Sequence, residues 1–365
     1  MANNSWSYNP LNLFSSFGHL FTNEGKTTNY DNNVIKKPSK LEIQNMSLII
    51  FNMNGVLRLG KTPIPIVKES VNNFIKEDST KFNIPLCILT NDCRRSPKII
   101  KKELKNMGYK INNDIKIITA SLLTLKHLTL IIKKHPKIQN NTNQIIKIGL
   151  VCESDFFYYI KNNFRLSYVN NIHSNKIYNK KVKFYWIQDN INPQNLDYLV
   201  FSCLKDNEKY CGLEKRIVNW IINSPSAAFL LTSTNKQNTF NDDKNQPIYK
   251  MPLELFDNTT TNAIKLNHKL KTELNLKYYS PSMPNTTLIK SILEEDYGIE
   301  FQEDNKKILI ISDNLERNQE FTDNLKCSNC LVLTGQTKYN QIKSMEKKIL
   351  DKINYIVPDA SYCLM

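Results

Sequence analysis

Six polar positions at the ends of three short apolar runs hold the side chains of this 365-residue chain that could do chemistry. Asn52 and Asn54 follow the run 48–51, Thr90 and Asn91 follow 86–89, and Asp313 and Asn318 follow 307–311. A carboxylate in such a place can attack an electrophile, carry a proton or bind a hard cation. An amide oxygen is neutral, a poor nucleophile, and does not titrate. A hydroxyl with backbone N–H groups beside it can hold an anion. By residue type, these strand ends offer a single carboxylate, Asp313, and one hydroxyl, Thr90, among amides.

Position depends on the elements that carry these residues. Continuous apolar runs without alternation predict strands covered on both faces, as in a parallel sheet, whose C-terminal ends are where such sheets keep their sites. After Asn54-Gly55, residues 57–65 read as a short flap and 66–81 as a helix with Val67, Val71, Phe74 and Ile75 on one side. Ser96-Pro97 reads as an N-cap followed by proline at the first helical position, with Ile100, Leu104 and Met107 on the inner stripe. Thr286 or Thr287 is expected to cap a helix carrying Leu288, Ile289, Ile292 and Leu293. Between 123 and 263 the pattern restarts, with strands near 145–151, 199–201 and 227–232 and helices over 153–163 and 210–222. Strands then follow near 330–333 and 355–357, the first leading into Thr334-Gly335. The expected class is α/β, built from βαβ units.

The segments LIIFNMNGVLRLGKTPIP and IPLCILTNDCRRSPKIIKKELKNMGY resemble the haloacid dehalogenase-like phosphatases, in the branch of the phosphoglycolate and 4-nitrophenyl phosphatases (NagD-like). The resemblance implies a Rossmannoid core over 46–122 and 264–365, an inserted α/β cap of the C2 type over 123–263, and an N-terminal arm over 1–45. It also implies roles. Asn52 stands where the family has the aspartate that attacks phosphorus, and Asn54 where it has the general acid and base. Thr90, with Asn91 beside it, matches the phosphate-holding position. The charge-steadying lysine is replaced by Met283, with Lys277 as the alternative from upstream. Asp313 keeps the first magnesium carboxylate, and Asn318 replaces the second. Losses at Asn52, Asn54, Met283 and Asn318 fall on charged catalytic positions while the surrounding apolar and turn residues still match. The expectation is a pseudophosphatase with no catalytic residues and no magnesium, acting as a structural or interaction subunit. A phosphate-ester or anion sensor using Thr90 and Asn91, or a residual magnesium-dependent hydrolase, is the alternative.

Composition bounds the rest. The formal charge is +15, but the lysines are scattered in pairs such as Lys36-Lys37 and Lys180-Lys181 in a chain rich in Asn and Ile, so no nucleic-acid surface is expected. No apolar run reaches the ~20 residues that span a bilayer. Eight cysteines, several inside apolar runs, point to an intracellular, reducing compartment, with cytoplasm and mitochondrion both open. Cys327-Ser328-Asn329-Cys330 lacks a second ligand pair and reads as buried strand thiols. The arm offers Trp6, Tyr8, Leu11, Leu13, Phe14, Phe17 and Phe21 as anchors for a protein partner, which the core or cap surface is also expected to meet; an organelle transit peptide is the other reading.

Overall fold

The run ending in Asn52 becomes β1 (Leu48–Asn52), the strand at which two chain directions of a parallel sheet meet. The structure is a computed structural model that describes residues 34–78, 84–140, 143–164, 181–205, 210–233, 249–274, 276–280, 286–301 and 305–364. Leu48 and Ile50 pack into the core cluster on one face of β1, Ile49 and Phe51 into the cluster on the other, and none is more than 1% exposed. Each such burial is worth about 1.5–3 kcal/mol, which is why the run shows no alternation.

A small hairpin follows β1: β2 (Arg58–Leu59) and β3 (Thr62–Pro63) form the flap. Next come α1 (Pro65–Asp78), β4 (Leu86–Thr90), α2 (Pro97–Asn106) and β5 (Lys116–Thr119). Ser96 caps α2 as expected, its hydroxyl accepting from Ile99 N, and Ile100 and Leu104 are buried. The chain passes through α3 (Ala120–Lys133) into a second sheet before returning to the first. In α3, Leu123 packs in the first core, whereas Leu125, Leu128 and Ile132 pack in the second. One helix therefore belongs to both units.

The second unit contains β6 (Ile146–Val151), α4 (Ser154–Asn163), β7 (Val182–Trp186), β8 (Tyr198–Phe201), β9 (Leu204–Lys205), α5 (Tyr210–Ile222), β10 (Ala228–Leu231), β11 (Tyr249–Lys250), α6 (Pro252–Leu266) and β12 (Tyr278–Tyr279). Five of these strands form a parallel sheet in the order β12-β10-β8-β6-β7, and β9 pairs antiparallel with β11. Packing of this unit continues beyond residue 263, since Leu270 and Leu274 join its core and β12 pairs with β10.

The first sheet is completed by α7 (Thr286–Tyr297), β13 (Asn305–Ser312), α8 (Leu315–Leu325), β14 (Cys327–Val332) and β15 (Tyr355–Val357). Thr286 is the first helical residue of α7, so neither it nor Thr287 stands ahead of the helix as a cap. The six strands lie in the order β15-β14-β13-β1-β4-β5, with every neighbouring pair parallel. Cys327 and Cys330 both lie in β14 and pack on opposite faces of the sheet, so they cannot share a ligand. Residues 34–45, grouped with the arm by the sequence, are packed on this sheet. Lys36 bridges Ile356, Ser39 caps the short helix Lys40–Gln44 through a capping box with Glu42, and Ile43 enters the core. Arm residues 1–33, with all seven anchor side chains, lie outside the described residues. Among the described residues no helix is long and apolar enough to cross a membrane.

Candidate functional site

Parallel pairing sets the site. In the order β13-β1-β4, the C-terminal ends of three adjacent strands bring Asp313, Asn52 and Thr90 to one edge of the sheet, with Phe51 opposite Ile311 and Asn52 opposite Leu89. Met283 lies outside the described residues, and Asn318 sits on α8 with its side chain outside them. Lys277 is exposed.

Asn52 turns its Oδ1 back onto its own chain, accepting from Met53 N at 3.1 Å. Asn54 Oδ1 accepts from Arg58 Nε at 3.0 Å, and Gly55 N bonds Arg58 O at 2.8 Å, so the flap is folded onto the loop that follows β1. Gly55 has φ +76°, a left-handed conformation that side chains with a Cβ adopt at a cost. It also meets Asp313 closely. A Cβ on Gly55 or on Gly335 would stand 2.0 Å from Asp313 Oδ2, so this carboxylate is wedged between two glycine backbones. Asp313 Oδ2 accepts from Gln336 N at 2.9 Å, and Thr334 Oγ1 bonds Gly55 O at 2.5 Å. Burial lowers Lys338 from its ordinary value, and Asp313 nearby acts against that shift.

Thr90 is 1% exposed, and its hydroxyl accepts from Asp92 N at 3.2 Å. Asn91 differs: both the Oδ1 and Nδ2 of its amide are buried with no hydrogen-bond partner among the described residues. Such an arrangement leaves a donor and an acceptor beside Thr90 that no described residue uses.

Charge reappears beside the site from residues the motifs did not flag. Asp92, fully buried, accepts from Arg94 N at 2.9 Å and Arg95 Nε at 2.7 Å, and pairs with Arg94 Nη2 at 3.1 Å. Arg95 reaches on to Glu103, which pairs with Arg58 at 3.2 Å, and Arg58 returns to Asn54. A chain of three guanidiniums and two carboxylates thus ends on the Asn54 amide. Burial and the Arg95 charge lower Arg58 from its ordinary value, with Glu103 and Asp92 opposing them. Only two signals in the sequence could have pointed to this network: the Asp-Cys-Arg-Arg run after β4, and an arginine in a flap otherwise cationic through lysine.

Burial alone would raise the Asp92 carboxyl, but Arg95 and Arg94 override it and hold it down to about 2, from 3.8. Because the folded value is depressed, Asp92 contributes stability in full above pH ~4, and that contribution drains away as pH falls from about 4 toward 2. The difference amounts to about 2 kcal/mol. Urea unfolding between pH 5 and pH 2 should show this loss, and Asp92→Asn should flatten that part of the profile.

The haloacid dehalogenase-like hydrolase family model matches residues 49–144, the segment that carries β1, the flap, β4 and β5. No curated protein sequence matches the chain. Among solved structures, the 4-nitrophenylphosphatase of Thermotoga maritima superposes with a TM-score of 0.58 at 15% identity, covering 88% of this chain and 98% of its own. NagD of E. coli K-12 gives 0.55 at 14% identity over 87% and 97%, and the p-nitrophenyl phosphatase of Archaeoglobus fulgidus gives 0.55 at 16% over 87% and 98%. Residues 49–144 are therefore similar to the haloacid dehalogenase-like hydrolases, and the chain as a whole shares the fold of these solved structures, a Rossmannoid parallel-sheet core with a second α/β unit.

Proposed function

We propose that this chain is a pseudophosphatase: a phosphatase scaffold without phosphoaspartate chemistry, used as a structural or interaction subunit. The observation that carries the reading is the state of the β1 tip. The side chain in the attacking position, Asn52, is a neutral amide whose oxygen is engaged by Met53 N, and Asn54 has its oxygen on Arg58. Neither can form an acyl-phosphate or pass a proton.

The donor set does not fit magnesium, which wants several oxygens with at least one or two carboxylates in near-octahedral array. Asp313 has its Oδ2 held by Gln336 N between two glycines, and Asp92, past the end of β4, is taken up by Arg94 and Arg95. Glu316 is exposed on α8. Among the described residues, no group of three His, Cys, Asp or Glu side chains is placed to hold a metal. No reaction step is routed through a metal in this reading.

The Asn91 amide, without a hydrogen-bond partner among the described residues, favours a second reading, in which the cleft holds a phosphorylated or other anionic metabolite without turning it over. The two readings part in a thermal-shift titration with magnesium, phosphoglycolate and 4-nitrophenyl phosphate. The scaffold reading expects an unmoved melting temperature with every one of them. Stabilisation by an ester without magnesium, lost in Asn91→Ala, would establish the sensor instead.

A further inference from the structure

We propose that Cys93 and Cys203 are an oxidisable pair whose disulfide staples the cap to the core. Cys93 lies in the loop after β4, and Cys203 lies between β8 and β9 in the second unit, 110 positions away in sequence. Their sulfurs stand 2.9 Å apart, inside ordinary non-bonded contact, and both residues are 0% exposed. The backbone holds them there from both sides. Ser202 Oγ donates to Cys93 O at 2.7 Å, and Ala120 and Met251 pack around the pair. On either flank, Arg94 of the core lies over the Tyr249 ring of the cap, 4.6 Å from its centroid. Closing the bond needs the sulfurs to approach by about 0.9 Å, within the reach of side-chain torsion.

Reactivity is divided between the two thiols. The hydrogen bond from Cys203 lowers Cys93 despite burial, while donating that bond and burial raise Cys203. Cys93 is therefore the attacking thiolate and Cys203 the resolving thiol. With hydrogen peroxide as oxidant, Cys93 sulfur attacks one peroxide oxygen and the O–O bond breaks, the departing hydroxide taking up the thiol proton, to give a sulfenic acid and water. Cys203 sulfur then attacks the sulfenic sulfur, forming S–S and releasing the hydroxyl as a second water with the Cys203 proton. Two thiols lose two electrons, and one hydrogen peroxide becomes two waters. Because both sulfurs are shut away, the first step proceeds when the cap swings off the core, and the second fixes it closed. A further close pair, Cys330 and Cys363 at 3.3 Å, lies wholly within the core sheet and the turn that follows it, and makes no link between units. The staple does not depend on whether the cleft is catalytic, so it stands or falls apart from the pseudophosphatase reading.

The test is peptide mapping of the full-length protein after hydrogen peroxide, with remaining thiols alkylated and no reduction. The expected product is tryptic peptide 82–94 joined to 184–205, with the link fragmented to Cys93 rather than Cys87. Dithiothreitol should reverse it, and the oxidised protein should melt at a higher temperature than the reduced one. In Cys203→Ser, Cys93 should instead be trapped as a sulfenic acid by dimedone. Three results would overturn the proposal: both thiols still alkylatable after peroxide, Cys93 carried to a sulfinic acid with Cys203 free, or a linked product whose melting temperature matches that of the reduced protein.

Discussion

Gly55→Ala is expected to destabilise the fold by more than about 4 kcal/mol, in the range reserved for steric conflicts that the core cannot relax. Two independent penalties meet at this residue. The left-handed backbone at φ +76° costs an alanine about 1 kcal/mol, and the new methyl would lie 2.0 Å from Asp313 Oδ2 and 2.3 Å from its Cγ. Asp313 has little room to step aside, because the Gly335 backbone also abuts it: a Cβ built there would likewise stand 2.0 Å from Oδ2. Gly335→Ala has the clash without the positive φ, so it should be damaging but milder. Asp313→Ala should rescue part of the Gly55→Ala loss, since only its own Cβ would remain, 2.8 Å from the new methyl. Urea denaturation of the single and double variants measures all of this. A Gly55→Ala loss below 1 kcal/mol would mean that the carboxylate is not wedged where it is described.

Asp92→Ala is expected to remove about 3–5 kcal/mol, the usual consequence of withdrawing one partner from a buried ion network. Arg94 and Arg95, whose side chains are 12% and 18% exposed, would keep their charges with no buried carboxylate between them. Glu103 would hold Arg95 and Arg58 but cannot reach both ends of the chain. Asp92→Asn preserves acceptance from Arg94 N and loses the charge, so its cost should fall between wild type and Asp92→Ala. Equal stability of all three would show that the network carries no net weight.

The strand ends could be read from sequence because burial on both faces erases polar positions: 48–51, 86–89 and 308–311 have nowhere to put a charge, and the polar residue that follows marks the end. α2 and α5 were visible for the opposite reason, a one-sided apolar stripe with a cap or turn at the boundary. β5 was missed because its four residues begin with Lys116, which pairs with Asp296 at the edge of the sheet and reads as a surface residue. β12 is two exposed tyrosines and has no period to detect.

At the site, the amides and Asp313 were found through their distance from strand ends, which is local information. The arginines were not. Arg58 and Glu103 are 45 positions apart, and nothing short of the fold shows that they meet. Beside Asn54, Arg58, Arg94 and Arg95 are balanced in this network by Asp92 and Glu103. The approach of Cys93 to Cys203 was not legible for the same reason, since a contact across 110 residues leaves no mark on the sequence around either.

The absence of phosphoaspartate chemistry is tested most directly by assaying purified protein for release of 4-nitrophenol from 4-nitrophenyl phosphate with saturating magnesium, alongside the Asn52→Asp/Asn54→Asp variant. Release should match the buffer rate for the native chain, and the variant should gain little, because the proposed reading assigns Met283 and Asn318 to two further positions that are charged in the family. Magnesium-dependent turnover by the native protein that disappears in Asn52→Ala would contradict the account.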